Sequence, residues 1–151
     1  MTEVVFYHNA PERVEASCSL LMDAFAAGKM MVVFIPDQKR AEYMDRILWT
    51  QPSTGFLPHC SADSPLATET PVLFAGQAAS LLNLPDSTPL FNLAEETPDE
   101  VIRAFARFSS LIEVVGLEHA ERERARERVR SYKAAGFSVK YIDWVKERNN
   151  P

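Results

Sequence analysis

The segment EVVFYHNAPERVEASCSLLMDAFAAGKMMVVFI, residues 3–35, sets the fold class. Its two ends, Glu3–His8 and Met30–Ile35, are short runs rich in β-branched and aromatic residues, which predicts two largely buried strands. The apolar residues between them fall on one helical face, and Pro11 and Gly28 suit the start and the end of that helix. A strand, a helix and a second strand in this order predict a unit in which the two strands are parallel.

The same alternation of strands and helices continues along the chain. Asp37 follows the second strand and can cap a helix that runs to about Leu48. Thr97 and Pro98 mark the start of a later helix, and Gly136 marks the end of a long one. The remaining predicted strands are Val72–Ala75, Pro89–Leu93, Ser110–Val115 and Phe137–Tyr141, and residues 50–70 are predicted to form a long loop with a short strand near Phe56. This order predicts an α/β fold with three Rossmann-like layers, in which helices cover both faces of a mostly parallel sheet.

Length and composition predict one domain over residues 1–151. A chain of 151 residues suits a single core, and 46% hydrophobic residues exclude disorder as its main state. The longest apolar runs reach about a third of a membrane span, so no membrane attachment is expected. The two cysteines, Cys18 and Cys60, show no disulfide spacing, which indicates a reduced, cytoplasmic setting.

The charge distribution shows one local basic element in an acidic chain. The net charge of −5 argues against a protein that coats nucleic acid. Residues 118–133 nevertheless contain five arginines, and on a helical wheel Arg122, Arg126, Arg130 and Lys133 fall within an arc of about 80°. The forked guanidinium group suits carboxylates and phosphates. The alternative is a solvated helix stabilised by internal ion pairs. Those pairs would be Glu118–Arg122, Glu121–Arg124, Glu123–Arg126 and Glu127–Arg130.

The sequence predicts no catalytic, cofactor or metal site. A nucleotide-binding loop would place glycines after the first strand, where Asn9–Pro11 stand instead. His59 and Cys60 are adjacent, which is a poor geometry for binding one metal ion. Asp37 follows a strand, where carboxylates often contact ligands. A divergent nucleotide-dependent enzyme or nuclease that uses this carboxylate is therefore the alternative function.

Two aromatic residues, Trp49 and Phe56, are not explained by the predicted elements. Trp49 lies at the end of a predicted helix and Phe56 lies within the proline-rich loop. Burial of both rings could close the helix and fix the loop to the core. The alternative is that together they line a partly exposed apolar pocket.

Two segments resemble the chi subunit of bacterial DNA polymerase III. They are WTQPSTGFLPH, residues 49–59, and FSSLIEVVGLEHAERERARERVRSYKAAGF, residues 108–137. The opening VVFYH, the helix that ends at Gly28 and the second strand extend the resemblance to nearly the full chain, whereas residues 61–90 contribute little. The resemblance implies a non-catalytic accessory subunit of the clamp loader, with a Rossmann-like fold and no nucleotide site.

The resemblance also implies partners and a binding site. Chi subunits join the psi subunit and bind the acidic C-terminal tail of single-stranded-DNA-binding protein, whose last phenylalanine enters an apolar pocket beside basic residues. By matching position, the pocket residues are Trp49, Phe56 and Val115, and the basic contacts are Arg122, Arg126 and Arg130. A tyrosine that some relatives carry on this helix is replaced by Val129. A repair helicase is a further partner left open by the resemblance, and specific binding to DNA itself is not expected.

Overall fold

Seven strands and five α-helices lie in residues 2–50 and 57–149, which are the residues described by a computed structural model. The strands are β1 (Glu3–His8), β2 (Met31–Phe34), β3 (His59–Ser61), β4 (Val72–Ala75), β5 (Leu90–Asn92), β6 (Ser110–Val114) and β7 (Ser138–Asp143). The helices are α1 (Arg13–Ala26), α2 (Gln38–Thr50), α3 (Asp99–Phe105), α4 (His119–Ala134) and α5 (Trp144–Asn149). Short 3₁₀ turns at Ala67–Glu69 and Ala78–Leu81 lie in the connections.

The strands form one sheet in the order β3–β4–β2–β5–β6–β1–β7. All strand pairings among the described residues are parallel. Parallel neighbours require crossover connections, and α1 to α4 lie in such connections. The carboxyl ends of the strands consequently meet along one side of the sheet, and β3 and β7 are its two outermost strands.

Apolar side chains from both faces of the sheet build two main hydrophobic clusters. On β2 they alternate, since Val32 packs in the cluster that includes α3 and α4 residues, while Val33 packs with residues of α1 and α2. Both valines are fully buried. A strand with helices on both of its faces has no solvated side, which explains its unbroken apolar sequence. The predicted α/β fold with three layers is confirmed.

Three local details differ from the sequence prediction or add to it. The residue predicted to cap α3, Thr97, is buried, and the helix instead begins after Pro98, which makes no side-chain capping hydrogen bond. The predicted strand near Phe56 falls on residues 51–56, outside the described part of the chain, and β3 begins at His59. Helix α5 was not predicted, and its Trp144 packs edge to face against Tyr7 of β1 at 6.2 Å between ring centroids.

One buried carboxylate connects the two helical layers. Glu113 of β6 has no solvent exposure and accepts hydrogen bonds from Arg128 and Tyr132 of α4 and from Asn92 of β5. Arg13 of α1 approaches the same carboxylate to 3.5 Å. Its guanidinium also donates to the main-chain carbonyls of Asn92, Ala94 and Val114 at 2.9 to 3.0 Å. The network therefore fixes α1 and α4 against the carboxyl ends of the central strands.

Among the described helices, none has both the length and the apolar character that crossing a bilayer requires.

Candidate functional site

A cavity of about 550 Å³ lies between α4 and the sheet edge formed by β1 and β7. Its apolar lining consists of Phe6, Val115, Ala125, Val129 and Tyr141. Its polar lining consists of His8, Asn9, Arg122, Arg126 and Arg130. The cavity thus combines a hydrophobic floor with a row of arginines, and we call it the α4 cavity.

The helical repeat of α4 explains why one helix supplies both kinds of lining. Ala125 and Val129 are four residues apart and pack towards Phe6 and Val115, which are buried in the same small cluster. The short Ala125 side chain lets the helix approach the sheet while space remains beside it. Tyr141 of β7 closes the cavity and meets the Phe6 ring edge to face at 5.7 Å.

Two of the cavity arginines are paired with glutamates on the exposed surface of α4. Arg126 pairs with Glu123 and Arg130 pairs with Glu127, each three residues earlier in the helix. All four side chains are more than half exposed. Exposed ion pairs of this kind contribute at most about 1 kcal/mol, so a ligand carboxylate can replace the glutamate at low cost.

Arg122 differs from the other two arginines. Among the described residues it has no carboxylate partner, and its Nη2 instead lies 3.5 Å from the side-chain oxygen of Asn9. The Glu118–Arg122 pair predicted for a merely solvated helix is not formed. The predicted Glu121–Arg124 pair is also absent, since Glu121 accepts a hydrogen bond from the Gly116 N–H at 2.7 Å. The cavity arginines therefore have more N–H donors available to a ligand than they would have if each were paired with a glutamate of α4.

Trp49 does not belong to the α4 cavity, contrary to the predicted pocket. It lies at the end of α2, with its indole ring 6.2 Å from the His59 ring of β3, and it is 55% exposed. In the described sheet β3 and β7 are separated by five strands. Helix α2 leads the chain to the β4–β3 end of the sheet, which separates Trp49 from Val115 and the arginines. Phe56 lies outside the described residues.

The structure thus brings together Val115, Arg122, Arg126 and Arg130 from the predicted set. Besides Ala125 and Val129 of α4, four lining residues were not in the predicted set, and these four lie outside that helix, namely Phe6, His8, Asn9 and Tyr141. They come from β1, from the turn after it and from β7. The parallel pairing of β1 with β7 places Phe6 opposite Tyr141 and so brings these lining residues together.

A second cavity of about 760 Å³ lies at the carboxyl ends of β2, β4 and β5. Asp37 lines it, and its carboxylate accepts the Lys39 N–H at 3.0 Å, which is the predicted capping role at the start of α2. Arg40 also lines it and donates to Glu95 at 2.9 Å. Across the described residues, His, Cys, Asp and Glu side chains form no group of three that could hold a metal ion. Because its carboxylate accepts the Lys39 N–H, Asp37 has a structural role as the cap of α2.

Comparisons with known proteins agree with the resemblance seen in the sequence. The model of the family described as DNA polymerase III chi subunit, HolC, matches residues 1–140. The chain is 27% identical over 128 residues to DNA polymerase III subunit chi of Escherichia coli, covering 84% of this chain and 82% of that protein. It is 29% identical over 143 residues to the subunit chi of Pseudomonas aeruginosa, covering 92% and 94%. It is 25% identical over 126 residues to that of Haemophilus influenzae, covering 83% of each.

The family match begins at the first residue and ends within β7, so it includes every lining residue of the α4 cavity except Tyr141. It also includes α2, which carries Trp49 at the other end of the sheet. Because the match extends over most of the chain, this protein belongs to the DNA polymerase III chi subunit family.

Proposed function

We propose that the chain is a non-catalytic subunit of the DNA polymerase III clamp loader, and that its α4 cavity binds the acidic C-terminal tail of single-stranded-DNA-binding protein. The observation that carries this proposal is an apolar cavity of about 550 Å³ bordered by three arginines of one helix. Membership of the chi subunit family supports the setting. A clamp-loader subunit would work in the cytoplasm.

The chemistry of the cavity suits an extended acidic peptide with an aromatic end. Phe6 and Tyr141 offer ring edges and faces to a terminal phenylalanine, and such ring pairs stabilise contacts by about 0.5 to 1.5 kcal/mol beyond area burial. The peptide's terminal carboxylate and acidic side chains can each accept two parallel hydrogen bonds from a guanidinium group. The net charge of −5 on the whole chain repels an acidic peptide elsewhere, which favours binding at this basic surface.

We further propose that the far edge of the sheet, around Trp49, contributes to contact with the psi subunit or with a repair helicase. Trp49 is a large, 55% exposed side chain on α2 and lies near the β3 edge of the sheet, whereas the arginines lie near the β7 edge. Tryptophan is enriched among the residues that dominate protein interfaces. Two partners bound at opposite edges would not compete, so the chain could link them.

A peptide titration tests the tail-binding proposal. A labelled acidic peptide ending in phenylalanine should bind the wild-type chain with a micromolar Kd, as is usual for a small interface. Arg126→Ala should weaken binding by about 1.5 to 3 kcal/mol, because a hydrogen bond to a charged group is lost. Arg124→Ala is the matched control, since Arg124 lies on the same helix, outside the α4 cavity and 3.9 Å from Glu95.

The same peptide with an amidated terminus isolates the role of its carboxylate. Amidation should weaken binding, and raising the salt concentration should do the same because charge attraction is screened. Equal affinities for the acid and the amide would contradict the role given to the arginines. Equal losses in Arg126→Ala and Arg124→Ala would show that binding responds to net charge and not to this cavity.

A further inference from the structure

Asn9, in the turn after β1, has an unusual backbone conformation at the rim of the α4 cavity. Among the described residues it is the one non-glycine residue with a positive φ, at 63°. Most side chains disfavour this left-handed region, whereas asparagine, aspartate and glycine tolerate it. The turn lies at the carboxyl end of β1, the end of a parallel sheet at which ligands usually bind. The backbone thus restricts the choice of residue before any side-chain contact is considered.

The Asn9 amide bridges two groups of opposite charge. Its Nδ2 donates to Asp143 Oδ2 at 3.3 Å, and its Oδ1 accepts from Arg122 Nη2 at 3.5 Å. A carboxylate only accepts and a guanidinium only donates, so a single orientation of the amide satisfies both partners. Neither aspartate nor glycine could make both contacts. Asparagine alone therefore meets the backbone and the side-chain requirements together.

Asp143 provides a fixed end for this chain of contacts. It is the last residue of β7, and its Oδ1 accepts the Val145 N–H at 3.0 Å at the start of α5. Desolvation raises the pKa of Asp143, but hydrogen bonds from the N–H groups of Val145 and Lys146 and from the Asn9 amide, together with the charge of His8, lower it overall. The carboxylate is thus held both in place and in its charged form. Asn9 connects this anchored group to α4.

Arg122 is the cavity arginine that most needs such support. Arg126 and Arg130 are oriented by glutamates of their own helix, whereas Arg122 has no carboxylate partner among the described residues. Its 3.5 Å contact with Asn9 is at the long limit for a hydrogen bond. The contact uses one of the five N–H donors of the guanidinium group, so it can orient that group and leave the other donors available. An incoming carboxylate would meet this group without displacing an internal ion pair.

We propose that Asn9 is a positioning residue of the tail-binding site, which holds the Arg122 guanidinium at the mouth of the α4 cavity to receive a carboxylate of the acidic peptide. This inference rests on the proposed function and adds to it a residue that does not itself need to contact the peptide. It also implies that an asparagine at this turn contributes to specificity for anions.

Two substitutions separate the amide from the backbone conformation. Asn9→Gly keeps the left-handed turn and removes the amide. Asn9→Asp keeps the size and tolerance of the turn but places a carboxylate beside Arg122 and opposite Asp143. Each is titrated with the labelled acidic peptide in the wild-type background and in the Arg122→Gln background, and thermal unfolding is recorded for every variant.

Asn9→Gly should weaken peptide binding by about two- to fivefold, the range expected for one modest hydrogen bond. Asn9→Asp should weaken it by about tenfold or more, because the new carboxylate pairs with Arg122 and competes with the peptide. The effect of Asn9→Gly should disappear in the Arg122→Gln background, and that of Asn9→Asp should fall to the direct repulsion between the new carboxylate and the acidic peptide, which a merely structural role of Asn9 would not produce.

Equal losses in the two backgrounds would overturn the inference. Wild-type affinity in both Asn9 variants, together with weak binding by Arg122→Gln, would also overturn the inference. In that case the proposed function would stand. A wild-type chain that fails to bind the peptide would overturn the proposed function and this inference with it.

Discussion

Arg128 of α4 donates two hydrogen bonds, each 2.9 Å long, to the carboxylate of Glu113 on β6, and both side chains are at most 2% exposed. This two-point ion pair fixes the rotation of α4 about its axis. With Arg128 directed inwards, Arg126 and Arg130 border the α4 cavity. Arginines two residues apart on α4 therefore have different surroundings, since Arg128 contacts a buried carboxylate whereas Arg126 and Arg130 line an open cavity.

Replacing Arg128 should destabilise the fold strongly. Arg128→Met leaves the buried charge of Glu113 without its principal partner, and breaking a buried pair in this way costs about 3 to 5 kcal/mol. Urea unfolding followed by circular dichroism measures the loss. Arg124→Ala, an exposed change on the same helix, should alter stability by less than about 0.5 kcal/mol. A loss below about 1 kcal/mol for Arg128→Met would mean that the network has little energetic weight.

The same network should make stability depend on acid pH. Burial alone would raise the pKa of Glu113, but the charges of Arg128 and Arg13 hold it below its ordinary value of 4.5. A group whose pKa is depressed by folding contributes stability that is fully present above its unfolded pKa. That contribution is lost as the pH falls through the lower folded-state value. Urea unfolding between about pH 6 and pH 3 should therefore show a steeper loss for wild type than for Glu113→Gln. Parallel profiles for the two proteins would contradict this assignment.

Trp49→Ala should leave affinity for the acidic peptide unchanged within about twofold, because distant sites with no shared contacts behave independently. Trp49 lies beside β3, whereas the α4 cavity lies beside β7. Fluorescence anisotropy with the labelled peptide measures this directly, and Arg126→Ala serves as the weakened comparison. A tenfold loss in Trp49→Ala would show that the peptide reaches the opposite edge of the sheet.

Val129→Tyr should tighten binding of the peptide. Val129 is partly buried and lines the α4 cavity, so a larger aromatic side chain there would add a ring contact to the terminal phenylalanine. Such a contact contributes about 0.5 to 1.5 kcal/mol. Calorimetry with Val129→Ala as the truncated counterpart measures the gain. Weaker binding by the tyrosine variant would indicate that the new ring fills the cavity instead of lining it.

Features set by local interactions could be predicted from the sequence. The bounds of β1 (Glu3–His8) and β4 (Val72–Ala75) match the prediction, because each is an apolar run ended by residues that do not favour strands. The helical repeat likewise placed Arg122, Arg126 and Arg130 on one side of α4. By contrast, the six-residue helix Trp144–Asn149 is too short to give a periodic pattern.

Features set by strand order could not be predicted. Trp49 lies at the end of α2 and Val115 lies directly after β6, and both elements were predicted. The edge of the sheet near which each residue lies, however, depends on pairings between strands distant in sequence. The contribution of Tyr141 to the cavity required the pairing of β7 with β1. Arg128 is one of five arginines in residues 118–133, and its burial depends on partners distant in sequence, namely the Glu113 carboxylate and the Glu95 carbonyl.

The sheet order also has a mechanical consequence. Neighbouring strands lie about 4.8 Å apart, so six steps from β3 to β7 span roughly 29 Å. A pull between ligands held at the two edges would act perpendicular to the strands, and each ladder of main-chain hydrogen bonds would bear the full tension in series. Among these ladders, the shortest are β3–β4, β2–β5 and β5–β6, with three residue pairs each. Under load, rupture should begin at one of these three ladders, before the longer ladders that join β1 to β6 and to β7.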